Sequence, residues 1–261
     1  MRSVSLIWHL FALKLKREMM FKVSFWLQVV SRASYIVVTA LFFEVVYRHV
    51  ELIGGFSHDE MLILVGTTGI TISLFRTLFR AVTWRLGRLI RYGGIEFIMT
   101  KPVDLKLFAA ACEPDPSELM EIPIPLALVV AGAKSASYSL LRWVGWLSGI
   151  LLGIVLFLEL MLTVNALRFR FVRMRAMVWI LEDFLAFTRF PFTVYPAWLR
   201  AVLTVVVPVF FVSNFPVMLL TGRIGPGWML LGAAIALAWW RIVNRAWEAG
   251  LRSYEGAATV E

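Results

Sequence analysis

The chain has 261 residues, 60% hydrophobic and only 16% charged, where an ordinary soluble domain has roughly 45–50% apolar and about 25% charged residues. Together with a mean hydropathy of +0.80, this excludes a water-soluble globule, a disordered chain, a collagen and a disulfide scaffold, because one core of this size cannot hide so much apolar surface. The formal net charge of +9 would suit nucleic acid in a soluble protein, but beside membrane spans it sets topology and meets anionic lipid headgroups.

Residues 1–22 mix Leu6, Trp8, Leu10, Phe11 and Leu13 with Lys14, Lys16, Arg17 and Lys22, the composition of an interfacial helix on the inner leaflet. The basic residues interrupt the apolar stretch and no small-residue cleavage site follows, so the segment is expected to be retained. Apolar runs of about 20 residues, enough for a ~30 Å hydrocarbon layer, cover 24–46, 60–79 and 143–165. Shorter or interrupted spans are expected at 119–133, with Pro123 and Pro125, and at 177–192, with Glu182 and Asp183. A final span occupies 227–243, after the turn-forming residues 222–227.

Residues 199–220 contain Pro208 and Pro216. Reading them as a broken re-entrant hairpin that enters and leaves on one side gives six spans. The basic residues of 1–22, 76–106, 168–175 and 241–252 then share one side, and only Arg48, Lys134, Arg142, Arg189, Arg200 and Arg223 lie on the other. The positive-inside rule makes the first side cytoplasmic, with both termini there. The expectation is an all-α integral membrane protein, one transmembrane domain over 1–261, with a long cytoplasmic stretch at 81–117.

No phosphate-binding G-x-x-x-x-G-K-[ST] loop is present, so this chain has no nucleotide site of that kind. Gly66, Thr67, Thr68 and Gly69 lie inside a span, where small residues permit close helix packing. The lone Cys112 can form neither an internal disulfide nor a multi-cysteine metal site, and His9, His49 and His58 share no ligand spacing, so no metal is assigned. No Ser, His and carboxylate set shares a depth, and no catalytic residue is assigned.

Charges inside spans are the stronger lead, since each costs at least ~2.5 kcal/mol at mid-bilayer unless it is paired or hydrated. Arg32, Glu159, Glu182 and Asp183 fall at one depth, about 9–12 Å from the cytoplasmic ends of their spans at ~1.5 Å per residue. Arg32 is therefore expected to pair with Glu159 or with Glu182 and Asp183, the alternative being that each charge reaches separately to the interface.

Residues 91–102 carry Gly94, Glu96, Met99, Lys101 and Pro102 after Arg85, Arg88 and Arg91. This stretch resembles the G-x-[DE]-x-x-[LM]-x-[RK]-P pattern in the cytoplasmic loop of ABC type-2 exporter permeases. A second block is similar to the family's run between its fifth and sixth spans: Tyr195 and Pro196, then Leu199, Arg200, Leu203, Thr204 and Pro208, then Asn214 and Pro216. Trp247, Gly250, Leu251, Arg252, Tyr254 and Glu255 resemble the tail of one branch. Residues 109–122, with Cys112, Glu113, Asp115 and Glu118, are more acidic than that pattern.

The resemblance implies the transmembrane subunit of an ATP-driven exporter in the cell (inner or plasma) membrane. It would pair with a second copy or a sister permease, lie among membrane lipids, and bind cognate ABC ATPase subunits that hold ATP and Mg; this chain would carry no cofactor. The loop of Arg85, Arg88, Arg91, Gly94, Glu96, Lys101 and Pro102 would couple to the ATPase, with Arg168, Arg170, Arg173 and Arg175 as a second contact. Tyr195, Pro196, Pro208, Asn214 and Pro216 would form an outer gate in a hairpin over 196–220. An ion-gradient-driven secondary transporter and a membrane enzyme acting on lipid-linked substrates are the alternatives.

Overall fold

A computed structural model describes residues 14, 16, 22–100, 105–169 and 175–253, and their regular elements are all helical. The expected interfacial helix thus lies outside the described residues, apart from Lys14 and Lys16. The long apolar runs become α1 (Lys22–Tyr47), α2 (His58–Trp84) and α7 (Leu140–Leu167). Between α2 and α7 come the short helices α3 (Leu86–Arg91), α4 (Gly94–Met99) and α5 (Leu105–Ala111), a 3₁₀ turn at Pro116–Glu121, and α6 (Pro123–Ala133). After α7 follow α8 (Arg175–Phe184), α9 (Ala197–Ala201), α10 (Asn214–Thr221) and α11 (Trp228–Arg252).

Among the described residues, four stretches are long and apolar enough to cross a membrane: Phe25–Tyr47, His58–Ile90, Pro116–Ala133 and Leu140–Leu167. The last 25-residue helix, α11, would reach about 37 Å at ~1.5 Å per residue, but Arg241, Arg245 and Arg252 make its second half polar. Residues 177–192 differ from expectation. They form the ten-residue α8 and a 3₁₀ turn at Leu185–Arg189 rather than one continuous span.

The core centres on α2, which packs on α6 and α7, while α7 also carries α10 and α11. The apolar side chains Ile63, Leu64, Ile150 and Met161 are fully buried there. Gly66 and Gly69 explain how α6 fits: a Cβ on Gly66 would fall on the Pro125 carbonyl oxygen, and one on Gly69 would come within 2.8 Å of the Pro125 ring. The small residues do serve packing, as their position in a span suggests. Buried threonines on α2 dispose of their hydroxyls within the helix: Thr68, Thr71 and Thr77 each donate to the carbonyl four residues back.

Two ends of the bundle can be told apart by side-chain ties. At one end Ser57 opens α2 with a capping box, its hydroxyl accepting from Glu60 N and Glu60 Oε2 accepting from Ser57 N at 2.9 Å. Glu60 also binds Arg223 at 2.6 Å, Asp59 accepts from Ser135, and the Gly54 carbonyl accepts from Thr193. The opposite end holds the α2–α3 junction, the end of α7 and the second half of α11. There Asn165 donates to the Val82 carbonyl, Phe169 packs on Trp247, and Lys106 donates to Asn244.

Residues 196–220 are broken at Pro208. A π-helical turn at Val202–Val206 follows α9, the backbone leaves helical geometry at Val207 and Pro208, and a 3₁₀ turn at Val209–Val212 leads into α10. Thr193 before this segment and Arg223 after it both bind the residue 54–60 connection.

Candidate functional site

A cavity of about 370 Å³ lies between α1, α2 and the α8 end of the chain. Its middle is apolar, with Ile36, Ile72 and Leu185, and one end carries Arg189, stacked on the Tyr35 ring at 4.8 Å. The other end is charged: Arg32, Arg76, Glu121, Glu182 and Asp183 line it. Tyr35, Asp183 and Ala186 are exposed where the cleft opens on the flank of the bundle.

Arg32 corrects one expectation. Its guanidinium binds Glu118 at 2.7 Å and Glu121 at 2.8 Å, not Glu159, Glu182 or Asp183. Depth alone selects several candidates, and the 3₁₀ turn decides, because Asp115, Glu118 and Glu121 recur every three residues and so stand on one face of it. Arg80, on α2, pairs with Asp115 and lies 3.9 Å from Glu118. Asp115 caps the turn through Ser117 and donates its own N–H to the Thr77 carbonyl at 3.0 Å, beside the non-helical Phe79 in α2. Buried charges thus fasten α1 and α2 to the entry of α6.

The other acids expected inside spans fare differently. Glu182 and Asp183 do share the cleft with Arg32, yet among the described residues neither has a hydrogen bond or an ion pair. Glu159 is buried in α7 and its Oε2 is unbonded. Asp115, Glu118 and Glu121 repeat at the spacing that a 3₁₀ turn makes into one acidic face, and Arg76 and Arg80 lie one helical turn apart on α2.

The α3–α4 region forms a compact projection at the end remote from Arg223. Leu86, Ile90, Ile95 and Ile98 are buried, whereas Arg85, Arg88, Glu96, Tyr92 (72% exposed) and Phe97 (70% exposed) face outward. Gly93 adopts φ 74°, a left-handed turn that suits glycine, and Gly94 opens α4. Arg85 lies 3.5 Å from Glu113. Lys101 and Pro102 lie outside the described residues, as does the side chain of Arg91.

Arg168 is not a surface group. It is 7% exposed, donates from Nη1 to Asn165 Oδ1 at 2.9 Å, and lies over Gly87, where any Cβ would collide with the guanidinium. Asn165, fully buried, donates in turn to the carbonyls of Val82 and Met161, both at 2.8 Å. This bracket locks the α2–α3 elbow to the end of α7; sequence reasoning had no signal for Asn165 or Gly87. Arg170 and Arg173 lie outside the described residues, as does the side chain of Arg175.

Asn214, Ser213 and Tyr195, in and beside the expected hairpin, each bind residues of 187–192. Asn214 is 1% exposed; its Oδ1 accepts from Phe192 N at 2.8 Å and its Nδ2 donates to the Phe190 carbonyl at 3.2 Å. Ser213 donates to the Thr188 carbonyl, and the Tyr195 hydroxyl donates to the Phe187 carbonyl. Pro208 sits at the break and Pro216 packs on Gly149 of α7. Pro196 caps α9.

Long apolar helices with charges buried between them define a multi-pass helical membrane protein. The family model described as ABC-2 family transporter protein matches residues 33–258, and the chain belongs to that family of transport membrane components. No curated protein and no solved structure matches the chain.

Proposed function

We propose that this chain is the transmembrane subunit of an ATP-driven exporter, working with a second copy or a sister permease and powered by separate ABC ATPase subunits that hold ATP and Mg. Six crossings are the reading that agrees with the charge distribution. Residues 196–220 then form a re-entrant hairpin on the outer side, which the ties of Thr193 and Arg223 to one connection support. Both termini are cytoplasmic, and the membrane is the cell's inner or plasma membrane.

The observation that carries this reading is the α3–α4 projection. Tyr92 and Phe97 are exposed beside Arg88 and Glu96, and a docked ATPase would bury their rings. Through Gly87, Arg168 and Asn165 the projection is anchored to α7, so a closing ATPase pair would move the membrane helices as rigid elements. The hairpin around Tyr195, Pro196, Pro208, Asn214 and Pro216 gates the outer mouth, and the cleft beside Arg32 belongs to the substrate path. Tagging the chain, extracting it in mild detergent and identifying its companions tests the proposal. An ATPase subunit in stoichiometric amount is expected; none, even after crosslinking before extraction, would overturn it.

A further inference from the structure

The outward face of α11 changes character along its length. Gly232, Val243, Trp247 and Gly250 turn to the protein, where a Cβ on Gly250 would come within 2.8 Å of the Ala166 carbonyl oxygen of α7. On the face that points away, Leu230, Leu237, Arg241, Arg245, Glu248 and Arg252 are all exposed, and their spacing by three, four or seven residues makes them one stripe. Its first half is apolar. Its second half sets three guanidinium groups against the one carboxylate of Glu248, and among the described residues none of these four side chains has a hydrogen bond or ion pair. Lys106 adds a cation at the flank: its ammonium donates to Asn244 and lies 5.3 Å from the centre of the exposed Trp240 ring, where the apolar and basic halves meet.

Like charges one turn apart on a helix, as Arg241 and Arg245 are, repel each other. Depth sharpens the need for an anion. With α11 as the last of six crossings, Trp228 opens it on the outer side, and Arg241 and Arg245 follow about 20 and about 26 Å along the axis at ~1.5 Å per residue, short of the ~30 Å hydrocarbon thickness. A guanidinium facing lipid there is costly unless its long side chain reaches a counter-charge at headgroup level. An open hollow of about 410 Å³ along the stripe, between Arg245, Glu248, Ala249, Arg252 and Ser253, has room for a polar headgroup. We propose that this stripe binds an acidic phospholipid of the inner leaflet. Its phosphodiester is held by Arg241 and Arg245, its headgroup lies over the hollow beside Arg252, and its acyl chains run along Leu237, Ala238 and Ile242, all exposed. The choice of leaflet rests on the six-crossing reading; the binding itself is tested without reference to topology or transport.

The test uses the full chain purified in a mild non-ionic detergent, with phosphatidylglycerol and phosphatidylcholine of identical acyl chains added in equal amounts and the retained lipid counted by native mass spectrometry. The parent is expected to retain phosphatidylglycerol about tenfold or more over phosphatidylcholine, the scale of two basic residues acting on one anionic headgroup. Arg241→Gln combined with Arg245→Gln is expected to remove most of that preference. Arg48→Gln combined with Lys134→Gln, which takes two exposed charges from the other end of the bundle, is expected to leave it unchanged. Equal retention of the two lipids by the parent would overturn the proposal, as would a preference that survives the Arg241→Gln, Arg245→Gln change or falls equally with both pairs. If the preference survives while a co-purifying ATPase subunit is lost from that variant, the stripe is a protein contact instead of a lipid site. No lipid result overturns the exporter reading, which stands on ATPase co-purification.

Discussion

Arg32 and Glu118 approach to 2.7 Å between α1 and the 3₁₀ turn that leads into α6, with Glu118 only 1% exposed. Removing one partner of a buried ion pair typically costs about 3–5 kcal/mol because the other charge is left uncompensated. Arg32→Leu should therefore lower protein yield and the thermal midpoint in detergent. Adding Glu118→Leu and Glu121→Leu to Arg32→Leu should recover much of the loss. A single variant as stable as the parent in a detergent melting assay would show that the pair does not hold α1.

Gly87 and Arg168 form a second tight relationship. Gly87→Ala forces the guanidinium away from Asn165 and should lower the melting temperature, with a cost of about 1–3 kcal/mol. A double-mutant cycle with Arg168→Met checks the mechanism. The two changes together should cost clearly less than the sum of the singles, since both act on one contact.

The topology of residues 196–220 is open to labelling. Thr193→Cys and Arg223→Cys, each in a Cys112→Ser background, should both react with a membrane-impermeant maleimide from the side that labels Val50→Cys. These positions adjoin the residue 54–60 connection. Labelling of the two from opposite sides would make the segment a full crossing.

Cys112 offers a pH-dependent readout near the α3–α4 projection. Burial pushes its thiol up from the usual range, and the Arg85 charge only partly offsets this. A raised pKa leaves less thiolate at a given pH, so alkylation by iodoacetamide should run slower than for free cysteine at the same pH and keep climbing at pH values where free cysteine has levelled off. Arg85→Gln, which removes the offsetting charge, should slow it further at pH 8. Stopped-flow or mass-spectrometric alkylation rates measure both effects.

Much of the scaffold could be read from residues alone. The long runs behind α1, α2 and α7 are set by composition, and the packing role of Gly66 and Gly69 follows from their place in a span. Pro208 announced the break within residues 196–220 because it removes a backbone donor and cannot continue a helix. The pairing of Arg32 was not readable in the same way. Depth along a span is one-dimensional and leaves Glu159, Glu182 and Asp183 as equal candidates, while the true partners come from a turn whose insertion depth no hydropathy run reveals. Arg168 looked like part of an exposed basic cluster because sequence does not show which way a residue at a helix end turns; the gap left by Gly87 decides it. The break of α8 at Leu185 likewise comes from tertiary ties such as Ser213 to the Thr188 carbonyl.

The most direct measurement is ATP hydrolysis by whatever co-purifies with the tagged chain, compared between the parent and a Glu96→Ala, Phe97→Ala variant extracted at equal yield. An account in which the α3–α4 projection docks an ATPase predicts vanadate-sensitive hydrolysis with the parent and its loss, together with the partner subunit, in the variant. Hydrolysis that follows the variant undiminished would contradict docking through this projection, and a parent preparation free of any ATPase after crosslinking would contradict ATP-driven transport itself.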